Sequence, residues 1–168
     1  MRGCGAANDA AGLTAPDASG LGVKLAVGRN LADAGLQVDD IDRINTHGSG
    51  TPVNDRMEAA TYSQIFTGPH PPLLFATKVA FGHSLGATRA LEALATLMAL
   101  ESGCVPPIVG HRTTRTECRL PVARPDAEPD AGPGTRVPDA RFALSLTIGF
   151  GGFNTALIFE APNTGGNP

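Results

Sequence analysis

This chain of 168 residues has no tryptophan, one tyrosine and an aromatic fraction of only 5%. Proteins that hold single-stranded nucleic acid stack its bases on aromatic side chains, so no such platform is expected. Lysine and arginine number 13 against 16 aspartate and glutamate, a formal charge of −3, and no basic stripe interrupts that balance. Nothing is offered to a phosphate backbone, which excludes nucleic acid as a partner. No apolar run approaches the roughly 20 residues that cross a bilayer. Met1-Arg2-Gly3-Cys4-Gly5 also lacks the apolar stretch of a signal peptide. The expectation is a cytoplasmic protein with no membrane partner. Only three cysteines occur, Cys4, Cys104 and Cys118, without a CxxC spacing. They read as reduced thiols rather than a disulfide frame or a zinc site.

A hydrophobic fraction of 42% suits one folded domain with a real core. The stretch to about Ser19 is rich in Gly, Ala and Asp and reads as a loop. Leu21, Leu25, Val27 and Leu31 form a loose helical stripe over residues 20–34, and Gly35 is its stop signal. Residues 39–45 read as a strand. Pro52 suits the first turn of a helix to about Phe66. Leu73–Thr77 reads as a short strand. From Leu85 the spacing of Leu91, Leu94, Leu97 and Met98 predicts an apolar helix, deeply buried, ended by Gly103. Residues 110–140, with recurrent proline, read as an exposed, weakly structured excursion. Phe142–Ile148 alternates with period two, and Thr155–Phe159 follows a glycine turn, which predicts a hairpin. One domain is expected over residues 1–162, with a disordered tail at 163–168.

Three segments carry chemistry. His47-Gly48-Ser49-Gly50-Thr51-Pro52 follows a strand, with Asp55 and Glu58 beyond it. Lys78 precedes Gly82-His83-Ser84-Leu85-Gly86, a turn opening the apolar helix. Gly149-Phe150-Gly151-Gly152-Phe153-Asn154 joins the hairpin strands. A lone His-Gly is an ordinary turn, and a lone lysine an ordinary surface residue. A histidine at a helix N-terminus feels the positive end of the dipole, which favours the neutral imidazole and frees its N–H to polarise a carbonyl. Histidines 36 positions apart could ligate zinc, but no third ligand has a familiar spacing.

Together, in this order, these segments resemble the C-terminal half of the thiolase-fold condensing enzymes, especially the β-ketoacyl-(acyl carrier protein) synthases and the type II polyketide ketosynthases. The resemblance runs from about Gly3 to Glu160, and Asn8-Asp9-Ala10, Thr14 and Pro16 resemble the family's second gating loop. It implies an α/β fold, the C-terminal half of a thiolase-like fold, with a mixed β-sheet packed with helices. It implies catalytic roles for His47 and His83, which stabilise a thioester enolate, and for Lys78, which organises His83. Phe150, Gly151, Gly152 and Asp9 take the oxyanion and gating roles, and Thr51, Glu58 and Asn154 support the site. No metal and no other cofactor is implied.

In that family the nucleophile is a cysteine carried by the other half, and none of Cys4, Cys104 and Cys118 has its context. The chain is therefore expected to be inactive alone. Its expected partners are a ketosynthase subunit or N-terminal-half protein and acyl carrier protein, with self-association as a further possibility. Three roles follow. One is a truncated or split synthase subunit for carbon-chain elongation in fatty acid or polyketide biosynthesis. The second is a non-catalytic partner resembling a chain-length factor. The third is a degenerate or truncated product without activity. The joint presence of His47, Lys78, His83 and Phe150 favours the first.

Overall fold

Glycine shapes the first element by its lack of a side chain. The computed structural model of the chain describes residues 1–124 and 134–162. Its first strand, β1 (Gly3–Asn8), lies directly beneath helix α1 (Leu21–Ala34). A Cβ on Gly5 would stand 2.6 Å from the Asn30 nitrogen, and one on Gly3 would stand 2.8 Å from the Asn30 carbonyl. The sequence reading of this stretch as a loop is thus corrected. The glycines mark a close approach of helix to strand rather than a turn. Helix α1 ends as expected, with Gly35 left-handed and its N–H on the Ala32 carbonyl.

Strand β2 (Arg43–Asn45) is shorter than expected, because residues 38–40 form a 3₁₀ turn closed by the Gln37 N–H on Asp40 at 2.7 Å. Helix α2 (Pro52–Ile65) begins on its proline, as the spacing predicts, and β3 (Leu73–Phe75) follows. Lys78–Phe81 forms one helical turn, α3. Helix α4 (Thr88–Ser102) leads into β4 (Cys104–Val105), which pairs with β5 (Thr135–Arg136). The predicted hairpin is β6 (Phe142–Gly149) and β7 (Phe153–Glu160).

The main sheet has the order β1-β7-β6-β2-β3. β2 runs parallel to β3 and β6, and the β1–β7 and β7–β6 pairs are antiparallel. Successive side chains of a strand point to opposite faces, so β6 serves two cores. Leu144 and Leu146 join Val23, Val27, Met57 and Tyr62 from α1 and α2. Ala143 packs with Leu100 of α4 on the other side. The stretch after α4 is more ordered than an exposed excursion: Leu120 and Ala123 are buried, and the backbone of 121–123 bonds both N–H and C=O of Leu74. Pro125, Pro129 and Pro133, and the tail 163–168, lie outside the described residues.

Helix α4, expected to be buried where a second half covers it and otherwise bare on one side, shows that bare apolar side here. It buries Thr88, Glu92, Thr96, Ala99 and Leu100, and it leaves Leu91, Leu94, Leu97 and Met98 between 42% and 59% exposed. Its inward face is largely polar and its outward face apolar, the reverse of an ordinary surface helix. Nothing among the described residues covers that outer face, and such a patch marks an interaction surface. No described helix is long and apolar enough to cross a membrane.

Gly5→Ala tests the packing of β1. The added methyl meets helix backbone that has no rotamer to yield, and the expected loss is about 2–3 kcal/mol in urea denaturation. A change of less than about 0.5 kcal/mol would show that α1 can lift from the strand freely.

Candidate active site

The parallel strands β2, β3 and β6 end on one edge of the sheet, where open α/β sheets place their ligands. His47 follows β2, Lys78 follows β3, and Phe150 follows β6. The Thr46 N–H bonds the Phe75 carbonyl at 2.9 Å and ties the first two loops together. Above them opens a cavity of about 550 Å³, lined by His47, Ser49, Thr51, His83, Thr147 and Phe150 among others.

His47 is held through its backbone. Its N–H donates to Glu58 Oε1, and the Gly48 N–H donates to Oε2, each at 2.8 Å. Asn54 Nδ2 and the Tyr62 hydroxyl also donate to Glu58, at 2.6 and 2.5 Å. Burial pushes the Glu58 carboxyl upward, and these four donors pull it back. The His47 ring is buried, and Nδ1 has no partner, which leaves Nε2 for the cavity. Burial, reinforced by the Lys78 charge and the neighbouring His83, lowers this imidazole to about 3. It is neutral at physiological pH.

His83 is exposed and reaches the same space from the other side. The Leu85 N–H donates to His83 Nδ1 at 3.1 Å, and Thr88 Oγ1 lies 3.3 Å from the same atom. A ring nitrogen that accepts carries no proton, so the proton sits on Nε2. Leu85 has φ of 48°, a strained conformation for a residue with a side chain. The two rings lie 5.6 Å apart at 76°, so two imidazoles can address one ligand oxygen.

Lys78 acts differently from what the resemblance implies. Its Nζ bonds the His47 carbonyl and Glu92 Oε1, not the His83 ring. Both side chains of this ion pair are buried. Glu92 Oε2 accepts the Thr147 hydroxyl at 2.7 Å. Burial raises the Glu92 carboxyl, opposed by Lys78 and Thr147. Sequence reasoning missed Glu92, Thr147, Thr88 and Tyr62. A signal for two of them existed: Thr88, Glu92 and Thr96 recur every four residues, a polar row along a helix otherwise apolar between Ala90 and Leu100.

The glycine turn is stapled to the segment after β1. The Asp9 N–H bonds the Gly152 carbonyl at 2.9 Å, and the Gly151 N–H bonds the Leu13 carbonyl at 2.7 Å. Asn154 Nδ2 donates to Gly152 O at 2.8 Å and Asp9 Oδ2 at 3.3 Å. Gly152 has φ of 75°, and a Cβ there would strike the Asp9 carboxylate, so no other residue fits. Phe150 stands 72% exposed at the cavity rim. Among the described residues, no thiol lines the cavity.

The family model described as beta-ketoacyl synthase, C-terminal domain, matches residues 1–112. Nodulation protein E of Rhizobium sp. (strain N33) is 38% identical over 161 residues, which cover 95% of this chain and 38% of that protein. The 3-oxoacyl-[acyl-carrier-protein] synthase 2 of Mycobacterium leprae (strain TN) is 34% identical over 160 residues, covering 95% of this chain and 36% of the relative. Among solved structures, the ishigamide ketosynthase/chain length factor superposes with a TM-score of 0.85 at 33% identity, over 97% of this chain and 38% of that one. The chain thus spans under two fifths of the length of these relatives. Its mixed sheet packed with helices is the thiolase-like α/β fold of those ketosynthases.

Lys78→Met should cost about 3–5 kcal/mol, because it leaves the Glu92 charge buried without its cation. Adding Glu92→Leu should restore about half of that loss in urea denaturation; no recovery would mean that the pair does not act as a unit. His47 yields a pH prediction. Its folded pKa of about 3 lies below the ordinary 6.5. Between those values the unfolded chain binds more protons, so stability is lost as pH falls from about 6.5 toward 3. His47→Gln removes that proton linkage. The gap between wild type and variant should shift by about 2 kcal/mol in the variant's favour from pH 7.5 to pH 5. Parallel pH profiles would show that the ring is not buried as described.

Proposed function

We propose, from the premise that the chain belongs to the β-ketoacyl synthase family as its C-terminal domain, that it supplies the decarboxylating half of a ketosynthase site. The reaction is the decarboxylative Claisen condensation of acyl and malonyl carrier-protein thioesters, in fatty acid or polyketide biosynthesis. One observation carries the reading: His47 and His83 stand 5.6 Å apart on one cavity, each with Nε2 left to meet a ligand. Loss of CO₂ from a malonyl thioester leaves an enolate whose charge gathers on the thioester oxygen. N–H donors placed there bind the developing anion more tightly than the neutral carbonyl and lower the barrier. A neutral His47 donates a hydrogen bond without surrendering its proton.

Glu58 and Lys78 hold the His47 backbone, and Phe150, with Gly151 and Gly152, forms a gate hinged at Asp9. The Thr51 and Ser49 hydroxyls face the cavity as contacts for the carrier's thioester arm. We assign the acyl-accepting thiolate to a ketosynthase-type N-terminal half that packs on the apolar face of α4. That half, or a ketosynthase subunit carrying it, and acyl carrier protein are the partners. The reversed polarity of α4 supports this assignment. A second reading, a non-catalytic partner like a chain-length factor, draws on the likeness to a solved ketosynthase/chain length factor. The intact histidine pair favours the catalytic reading.

The test is decarboxylation of malonyl carrier protein by the chain assembled with its ketosynthase-type half. The assembled wild type should release CO₂. His83→Ala should lower the rate about 10²–10³-fold, with the complex intact by light scattering, and His70→Ala should leave it unchanged. Equal rates for wild type, His47→Ala and His83→Ala would make the chain a scaffold. The chain alone should yield no condensation product. Turnover by the pure chain, with an acyl group found on its own cysteine by intact mass, would overturn the assignment of the thiolate.

A further inference from the structure

One cation lines the cavity without an ion pair among the described residues. Arg89, in the first turn of α4, lines both the active cavity and a neighbouring hollow of about 370 Å³ over the outward faces of β1 and β7. Its guanidinium carbon stands 4.7 Å from the centre of the Phe153 ring. Among the described residues it forms no ion pair. The acid one turn further on, Glu92, has its two oxygens occupied by Lys78 and Thr147. Among the described residues that line the active cavity there is no Asp or Glu, and Arg89 is the one Lys or Arg.

Such a group is prepared for an anion. Burial works against its charge and Glu92 supports it, but a guanidinium stays protonated in proteins. The guanidinium rests over the Phe153 ring, a cation–π contact that leaves it less rotamer freedom to lose on binding a ligand. Its planar fork matches a carboxylate, with two parallel N–H donors for two oxygens.

We propose that Arg89 recognises the carboxylate of a malonyl-type thioester and sets the preference of this site for a carboxyacyl group over a neutral acyl group. The inference rests on the function proposed above and adds the residue that reads the substrate's charge. Its kinetic signature differs from that of the histidines. The bond to the carboxylate exists in the ground state and is lost as CO₂ leaves, while the bonds to the enolate grow. Arg89 therefore lowers KM and does not raise kcat.

Two measurements test this. Calorimetry on the full chain compares malonyl-pantetheine with acetyl-pantetheine for wild type, Arg89→Gln and Arg89→Lys. Wild type should favour the malonyl compound about tenfold or more, as a charged hydrogen bond does. The ratio should fall near one in Arg89→Gln and stay intermediate in Arg89→Lys. A wild-type chain that binds malonyl-pantetheine no better than the acetyl compound, or a preference that survives Arg89→Gln, overturns the proposal. In the assembled complex, Arg89→Gln should raise the KM for malonyl carrier protein about tenfold and leave kcat equal or higher. A fall in kcat at constant KM would overturn it too. A chain that discriminates through Arg89 while its complex fails to decarboxylate would refute the proposed function and leave the recognition standing.

Discussion

The buried pair of Lys78 and Glu92 is the constraint on which the rest of the site depends. Two charges removed from water are tolerated only when good geometry and further hydrogen bonds compensate their lost hydration. Here Glu92 receives Lys78 and Thr147, while Lys78 also reaches the His47 carbonyl. The pair thereby joins α3, α4, β6 and the loop after β2 at one point. It also dictates how α4 is turned. With Glu92 inward, Thr88 and Thr96 on the same row must face inward as well, and the leucines on the other rows face out. The apolar exterior of α4 is therefore a consequence of the site's electrostatics, and no described residue covers it.

Around that anchor the chain divides its tasks by type of group. Backbone is held by charges that never face the cavity: Glu58 grips the His47 and Gly48 amides from behind, and Lys78 grips the His47 carbonyl. The polar side chains that line it are imidazoles, hydroxyls, the Asn54 amide and one guanidinium. This separation matters physically. A carboxylate within the cavity would repel an anionic thioester and raise the energy of an enolate, whereas the buried acids act only through the backbone they fix. The strained Leu85 lies at the rim of that cavity, and the stapled Gly151-Gly152 turn adjoins Phe150 there.

Much of this was legible in the sequence, because the signals involved are local. Proline at the start of α2, glycine after α1, period two in β6 and the motifs around His47, His83 and Phe150 each state a preference within a few residues. The family order of those motifs was enough to name the fold. Only tertiary structure decided the rest, because those features depend on what lies across the fold. Gly3 and Gly5 read as loop residues until α1 is seen resting on them. Helix α4 reads as deeply buried, since hydrophobicity alone cannot say which side faces the sheet. Lys78 pairs with Glu92, 14 residues away, and with the carbonyl of His47, 31 residues away. Arg89 is proposed as a recognition residue only because Phe153, from another strand, lies against its guanidinium near the cavity. Sequence determines what each segment prefers locally; the fold determines which charges meet and which surface is left bare.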